Sequence, residues 1–270
     1  MRRVSAALVM LVAVTLGGSS MVSARPHQPP DPRSMAAIGD SITQAMDACC
    51  WYGDHPEHSW STGFAGWDGV DSHDERLRAD SPHLQSYNVA VSGSRVSDTP
   101  AQAQQAVVQR VDYVTILIGA NDLCTSSPET MTEVEDFRRD FRDTLATLHD
   151  GLTGRARVFV SSIPDVYQLW QLYHDDPAAQ LAWNAAGICQ SLLAPTRTEA
   201  ERQAVRERNM AFNAVLREEC AVYKRCRFDD DAVFQFSFEP QHVSMLDYFH
   251  PSLIGQAELA EITWLESWWS

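Results

Sequence analysis

Lysine is almost absent. Lys224 stands alone beside twenty arginines in 270 residues, and that scarcity removes several chemistries at once. No Gly-Lys-Ser/Thr phosphate loop can be written, no strand lysine of the kinase kind, and no Ser-x-x-Lys nucleophile pair. A dinucleotide-binding Gly-x-Gly-x-x-Gly turn is missing too, since Gly63, Gly66 and Gly69 are spaced wrongly for one. After Leu16 no apolar run reaches the ~20 residues that a spanning helix needs. Positive charge is in deficit overall. The formal net charge of −15 argues against a polyanionic partner such as nucleic acid or heparin, and the acidic excess serves solubility.

The first residues carry a different message. Arg2 and Arg3 precede an apolar run from Val4 to Leu16, and Val22-Ser23-Ala24 offers a small-residue cleavage site. Residues 1–24 therefore read as a secretory signal rather than a membrane anchor, for which the run is too short. Its removal would leave 246 residues with a net charge of −17, enough for one well-buried domain. The expected organisation is a Pro-rich lead-in over 25–33 followed by a single domain over 34–270, secreted and monomeric.

Six cysteines suit an oxidising compartment and allow up to three disulfides. Cys220 and Cys226 would close a small loop after a helix. Cys124 can pair with Cys189 and tie down a loop. That leaves adjacent Cys49 and Cys50, whose direct pairing would form a strained ring.

Strand-length apolar runs occur at Met35–Gly39, Tyr87–Val91, Tyr113–Ile118 and Val158–Ile163, with a fifth expected at Val233–Phe236. Their near-continuous apolar character fits strands buried on both faces of a parallel sheet. Between them, helical spacing marks Pro100–Val111, Glu129–Leu148, Thr198–Val222 and Pro251–Trp264. The alternation predicts a three-layer α/β/α domain. Ser41, Gly93, Asn121 and Asp165 each follow a predicted strand. They should therefore share the carboxyl edge of the sheet, where ligands bind in such folds.

Four short segments at that edge hold what acyl transfer requires. Ser41, in Gly39-Asp40-Ser41-Ile42, comes directly after a strand, and at the opening of a helix it would be held exposed with its own N–H free. The bland alternative is a helix cap, a role both Asp and Ser favour. Gly93 lets backbone approach a developing oxyanion, although a plain turn would use a glycine equally well. Asn121 can donate a side-chain amide to the same charge; alone, Asn-Asp reads as a turn. Asp247 and His250 are three residues apart before Pro251, so the carboxylate can orient the imidazole while the other ring nitrogen faces Ser41.

Gly-Asp-Ser, a later Gly, Gly-x-Asn-Asp and a late Asp-x-x-His, in this order, resemble the SGNH, or GDSL-type, hydrolases over roughly residues 35–268. Tyr113–Cys124 and Asp247–Gly255 further resemble exported actinobacterial esterases, lipases and phospholipases of that family. The resemblance implies a flavodoxin-like fold with strand order 2-1-3-4-5, no metal and no organic cofactor. It also implies Ser41 as nucleophile, His250 as base, Asp247 as its partner, and an oxyanion hole from the Ser41 N–H, the Gly93 N–H and Asn121. One stretch departs from it, because the exported esterases tend to place a second cysteine several residues beyond the first, whereas Cys49 and Cys50 are adjacent. Thr43 also breaks the Gly-x-Ser-x-Gly elbow of α/β-hydrolases.

These residues imply hydrolysis of a lipid or short-acyl ester, phospholipids included, with transient contact to a lipid surface. Carbohydrate O-deacetylation on the same triad is the runner-up, and an inactive binding domain is a distant third. Trp51, Tyr52, Trp60, Phe64, Trp67, Trp170 and Trp183 are candidates to line an acyl groove. Cys49, Cys50, His55 and His58 match no standard zinc spacing. Trp264, Trp268 and Trp269 suit packing of a final amphipathic helix better than lipid contact.

Overall fold

The computed structural model describes residues 29–270; the expected signal over 1–24 lies outside them, and residues 29–33 enter no helix or strand. Five strands, β1 (Ser34–Gly39), β2 (Gln85–Asn88), β3 (Tyr113–Leu117), β4 (Arg157–Val160) and β5 (Cys226–Phe228), pair in parallel in the expected order β2-β1-β3-β4-β5. β1 and β3 lie inside the sheet with every residue buried, which is why they read as unbroken apolar runs.

Helices flank the sheet. Phe137 of Val134–Gly151 stacks on Phe212 of Glu199–Ala221 with ring centroids 4.0 Å apart. A second, smaller cluster joins Met35, Leu77, Tyr113, Phe159 and Trp269, with Trp264 and Trp268 packed against it. The carboxy-terminal tryptophans are therefore packing residues. At its centre His73 is held between the hydroxyls of Tyr113 and Thr263, both at 2.9 Å, and burial pushes its pKa down to about 3.

Three expectations need correction. The fifth strand is Cys226–Phe228; Val233–Phe236 instead falls largely in a helical turn, Ala232–Gln235. The Asp229 carboxylate accepts the N–H groups of Asp231 and Val233 and so bends that segment out of extension. β2 begins at Gln85, before the apolar run, because an edge strand tolerates polar residues; its bonding to β1 continues to the Val91 N–H, which donates to the Gly39 carbonyl. The helix expected over Glu129–Leu148 is interrupted, with a 3-10 turn at Pro128–Thr130 and the main helix at Val134–Gly151. Between them Thr132 turns aside to donate both its N–H and its hydroxyl to Asp122.

Cys124–Cys189 and Cys220–Cys226 pair as expected, and Cys49 is bonded to Cys50. Among the described residues no helix is long and apolar enough to cross a membrane.

Candidate active site

β1 delivers Ser41 at its carboxyl end. The segment after it is not the expected helix but a series of turns, with Ala45 at φ 49° and Asp47 at φ 56°. Left-handed residues cannot continue a right-handed helix, and Asp47 instead exchanges two hydrogen bonds with Gly53. With no helix to cap, the Asp40 carboxylate instead closes a local turn by accepting the Ile42 N–H at 2.9 Å. Buried completely, it has a pKa pushed up to about 7.

On the far side, Ser252 caps the Leu253–Leu265 helix by accepting the Gly255 N–H, and the loop before it carries Asp247 and His250. Asp247 Oδ1 accepts the N–H groups of Phe249 (2.9 Å) and His250 (3.0 Å), closing a tight turn that passes through Tyr248 at φ 58°. That turn aims Asp247 Oδ2 at His250 Nδ1, 2.5 Å away, while His250 Nε2 lies 2.8 Å from Ser41 Oγ. All three residues are buried. Burial works to raise Asp247, but the His250 hydrogen bond and charge, with two backbone N–H groups, hold its carboxyl below the ordinary range. The hydroxyl can thus donate to one imidazole nitrogen while the other donates to the carboxylate.

The remaining predicted residues lie in the loops after β2 and β3, and hydrogen bonds tie those two loops together and to the end of β1. Gly93 sits at φ 85°, a conformation that favours glycine. Among the described residues no protein acceptor lies on the N–H of Ser41 or of Gly93. Asn121 Nδ2 donates to the Ser94 carbonyl at 3.0 Å, which ties the amide to the Gly93 loop.

Two supporting residues escaped sequence reasoning. Asp122 accepts the Val96 N–H (2.9 Å) and the Thr132 hydroxyl (2.7 Å), locking the Gly93 and Asn121 loops together; burial raises its pKa to about 6. Gln102 accepts the Gly39 N–H and donates to the Gly39 carbonyl and the Ser94 hydroxyl, joining the end of β1 to the Gly93 loop. Asp122 at least stood inside the Asn-Asp motif. Gln102 gave no signal beyond being a polar residue on an amphipathic helix.

An apolar cavity of about 60 Å³ is lined by Ile42, Ala120 and Phe249, the sequence neighbours of Ser41, Asn121 and His250, together with Leu169, Leu172 and Phe238. Asp165, also at its wall, is paired with Arg206 at 2.7 Å. None of the seven candidate groove aromatics lines this cavity. Trp60 and Trp183 are core residues, and Trp170 lies under the Arg202 guanidinium. Trp51, Tyr52, Phe64 and Trp67 are exposed, 66%, 71%, 67% and 72%, and the Tyr52 hydroxyl donates to the Leu246 carbonyl beside Asp247. Cys49 and Cys50, bonded to each other, offer no thiolate to zinc.

The model of the GDSL-like lipase/acylhydrolase family matches residues 37–258. The human membrane-associated phospholipase B1 is 26% identical over 297 residues, a match covering 91% of this chain; the chain spans only 20% of that relative. A catalytic mutant of the acetylxylan esterase Axe2 from Geobacillus stearothermophilus superposes with a TM-score of 0.54 at 16% identity, covering 88% of this chain and 96% of that one. The extracellular lipase of Streptomyces rimosus gives 0.51 at 17% identity, covering 87% and 99%. A GDSL-like lipase described as putative, from Parabacteroides merdae, gives 0.54 at 18% identity, covering 88% and 96%. At these identities the structures share the fold.

Proposed function

The chain belongs to the GDSL-like lipase/acylhydrolase family, and from that premise we propose that it is a serine esterase acting on lipid or short-acyl carboxylic esters. One observation carries the reading: Ser41 Oγ, His250 and Asp247 form a continuous hydrogen-bonded line, 2.8 and 2.5 Å, from residues 209 apart in sequence. His250 removes the Ser41 proton as Oγ attacks the acyl carbon. The Ser41 N–H, the Gly93 N–H and the free hydrogen of the Asn121 amide receive the oxyanion. His250 then returns the proton to the leaving alcohol, and water releases the acyl group by the same route.

The apolar cavity beside Ile42 and Ala120 supports an acyl chain as its occupant. The pattern of residues 1–24 supports export. A second reading, carbohydrate O-deacetylation on the same triad, draws on the exposed Trp51 and Tyr52 close to the Asp247 loop, since flat aromatic faces suit sugar rings.

The decisive test is covalent labelling by a fluorophosphonate probe, which Ser41→Ala should abolish; labelling that persists would move the nucleophile elsewhere. Rates on p-nitrophenyl esters of increasing chain length, measured beside acetylated xylan, separate the two substrate readings. Turnover of acetyl groups alone would sink the lipid-ester reading, and no turnover of any ester would leave a binding domain.

A further inference from the structure

A second acid stands beside the base. Asp47 lies in the turns that follow Ser41 and is 3% exposed. Its N–H donates to the Gly53 carbonyl (2.9 Å), its Oδ1 accepts the Gly53 N–H (2.7 Å), and its carbonyl accepts the Ser244 hydroxyl (2.5 Å). These bonds fix the left-handed backbone at φ 56° and aim the carboxyl at the triad. One oxygen of Asp47, one of Asp247 and a ring nitrogen of His250 lie within 4.8 Å of one another. The two carboxyls therefore face one another across no more than 4.8 Å.

Two carboxylates at that range repel, so a buried pair retains one proton between them. The surroundings decide who keeps it. Asp247 accepts the imidazole Nδ1–H and two backbone N–H groups, all of which favour its charge. Asp47 accepts a single backbone N–H. Burial raises the Asp47 carboxyl, the Gly53 N–H opposes this, and the neighbouring Asp247 adds to the rise. The titratable groups facing Asp47 are Asp247 and His250; Asp40 also faces His250 and is next to Asp122.

We propose that Asp47 is a positioning residue of this site, donating its carboxyl hydrogen to Asp247 so that the acid beside the base is clamped and the pair carries one negative charge. The inference rests on reading Asp247 as the partner of His250. Asp47 touches neither the nucleophile nor the oxyanion donors in this arrangement. It acts through Asp247.

The test compares Asp47→Ala and Asp47→Asn with wild type on p-nitrophenyl butyrate, with Ser41→Ala and Asp247→Ala as controls. Asparagine can accept the Gly53 N–H with its oxygen, donate to Asp247 with its amide, and tolerate the left-handed backbone. Loss of one hydrogen bond to a charged group predicts a kcat for Asp47→Ala lower by about tenfold or more, with KM little changed. Asp47→Asn should recover most of that loss. Its acid limb of kcat/KM should stay within about 0.3 pH unit of wild type, because a neutral group replaces a neutral group.

Unchanged kcat in Asp47→Ala overturns the proposal. So does an Asp47→Asn acid limb displaced downward by half a unit or more, since that shift would mean a negative charge had been removed from beside the imidazole. Should Asp47→Ala fail to fold, the pH limb of Asp47→Asn decides alone. Full activity in Ser41→Ala and Asp247→Ala would instead refute the triad assignment on which the inference rests, leaving the two failures distinct.

Discussion

The Asn121 side-chain amide donates one of its two hydrogens to the Ser94 carbonyl, 3.0 Å away. That bond fixes the amide plane, and the proposed esterase reading assigns the second hydrogen to the oxyanion. Asn121→Ala should therefore lower kcat by about 10²–10³ with little change in KM, because the bond it removes forms fully only as the oxyanion develops. Steady-state kinetics on a p-nitrophenyl ester provide the check. An equal effect on KM alone would assign Asn121 to ground-state binding.

Acid groups buried near the nucleophile give the fold a pH dependence of definite sign. Asp40 and Asp122 have pKa values raised to about 7 and about 6 by burial, above the ordinary carboxyl value they recover on unfolding. Each therefore contributes stability that is complete below pH ~4 and lost as pH rises through 6 to 7. Urea unfolding across pH 4 to 8 should show this fall, and Asp40→Asn should flatten part of it. A slope identical to that of wild type would mean that Asp40 is already ionised in the folded protein.

The cavity lined by Ala120 and Leu172 is the acyl site on the proposed reading. A volume of about 60 Å³ accommodates roughly four water-sized groups, so kcat/KM on p-nitrophenyl esters should peak near butyrate and decline beyond it. Leu172→Ala opens the wall and should move the peak to longer chains. Activity that climbs steadily through dodecanoate in the wild-type protein would show that the acyl group lies elsewhere.

Cys124 and Cys189 join the Asn121 loop to a segment 65 residues away. Replacing both by serine should cost about 2–4 kcal/mol, because the unfolded chain regains the freedom of a long loop. Denaturant midpoints compared under non-reducing conditions measure it. The hydrogen bonds from Ser191 to Thr125 and Leu123 remain to hold the loop, so kcat should fall less than stability does.

How much of this was visible beforehand follows from what each residue does. The roles proposed for Ser41, Gly93, Asn121, Asp247 and His250 rest on each residue's own chemistry, so residue type and order in the chain pointed to them. The parallel sheet was visible for a similar reason, since β1 and β3 are buried on both faces and can hold little but apolar residues. The bracing roles of Asp47, Asp122 and Gln102 did not show in the sequence, although Asp122 lay within a motif, because partners distant in the chain or beyond a turn create them: Gly53 and Ser244, Val96 and Thr132, Gly39 and Ser94. β5 was missed because three residues with Arg227 at the centre do not make an apolar run. Val233 misled because its apolar neighbours are bent around Asp229. The exposed Trp51 and buried Trp60 look alike in sequence; only packing separates them.

Ser41 and His250 meet across 209 residues. The proposed nucleophile is delivered by the first strand of the sheet and its proposed base by the loop before the last helix, so the pair is among the longest-range contacts in the described residues. Such contacts depend on closing nearly the whole polypeptide, the slowest kind of event in folding. Catalytic competence should accordingly be the last property gained on refolding, trailing the recovery of helical circular dichroism. A chain caught partway would hold a formed sheet and an inert serine.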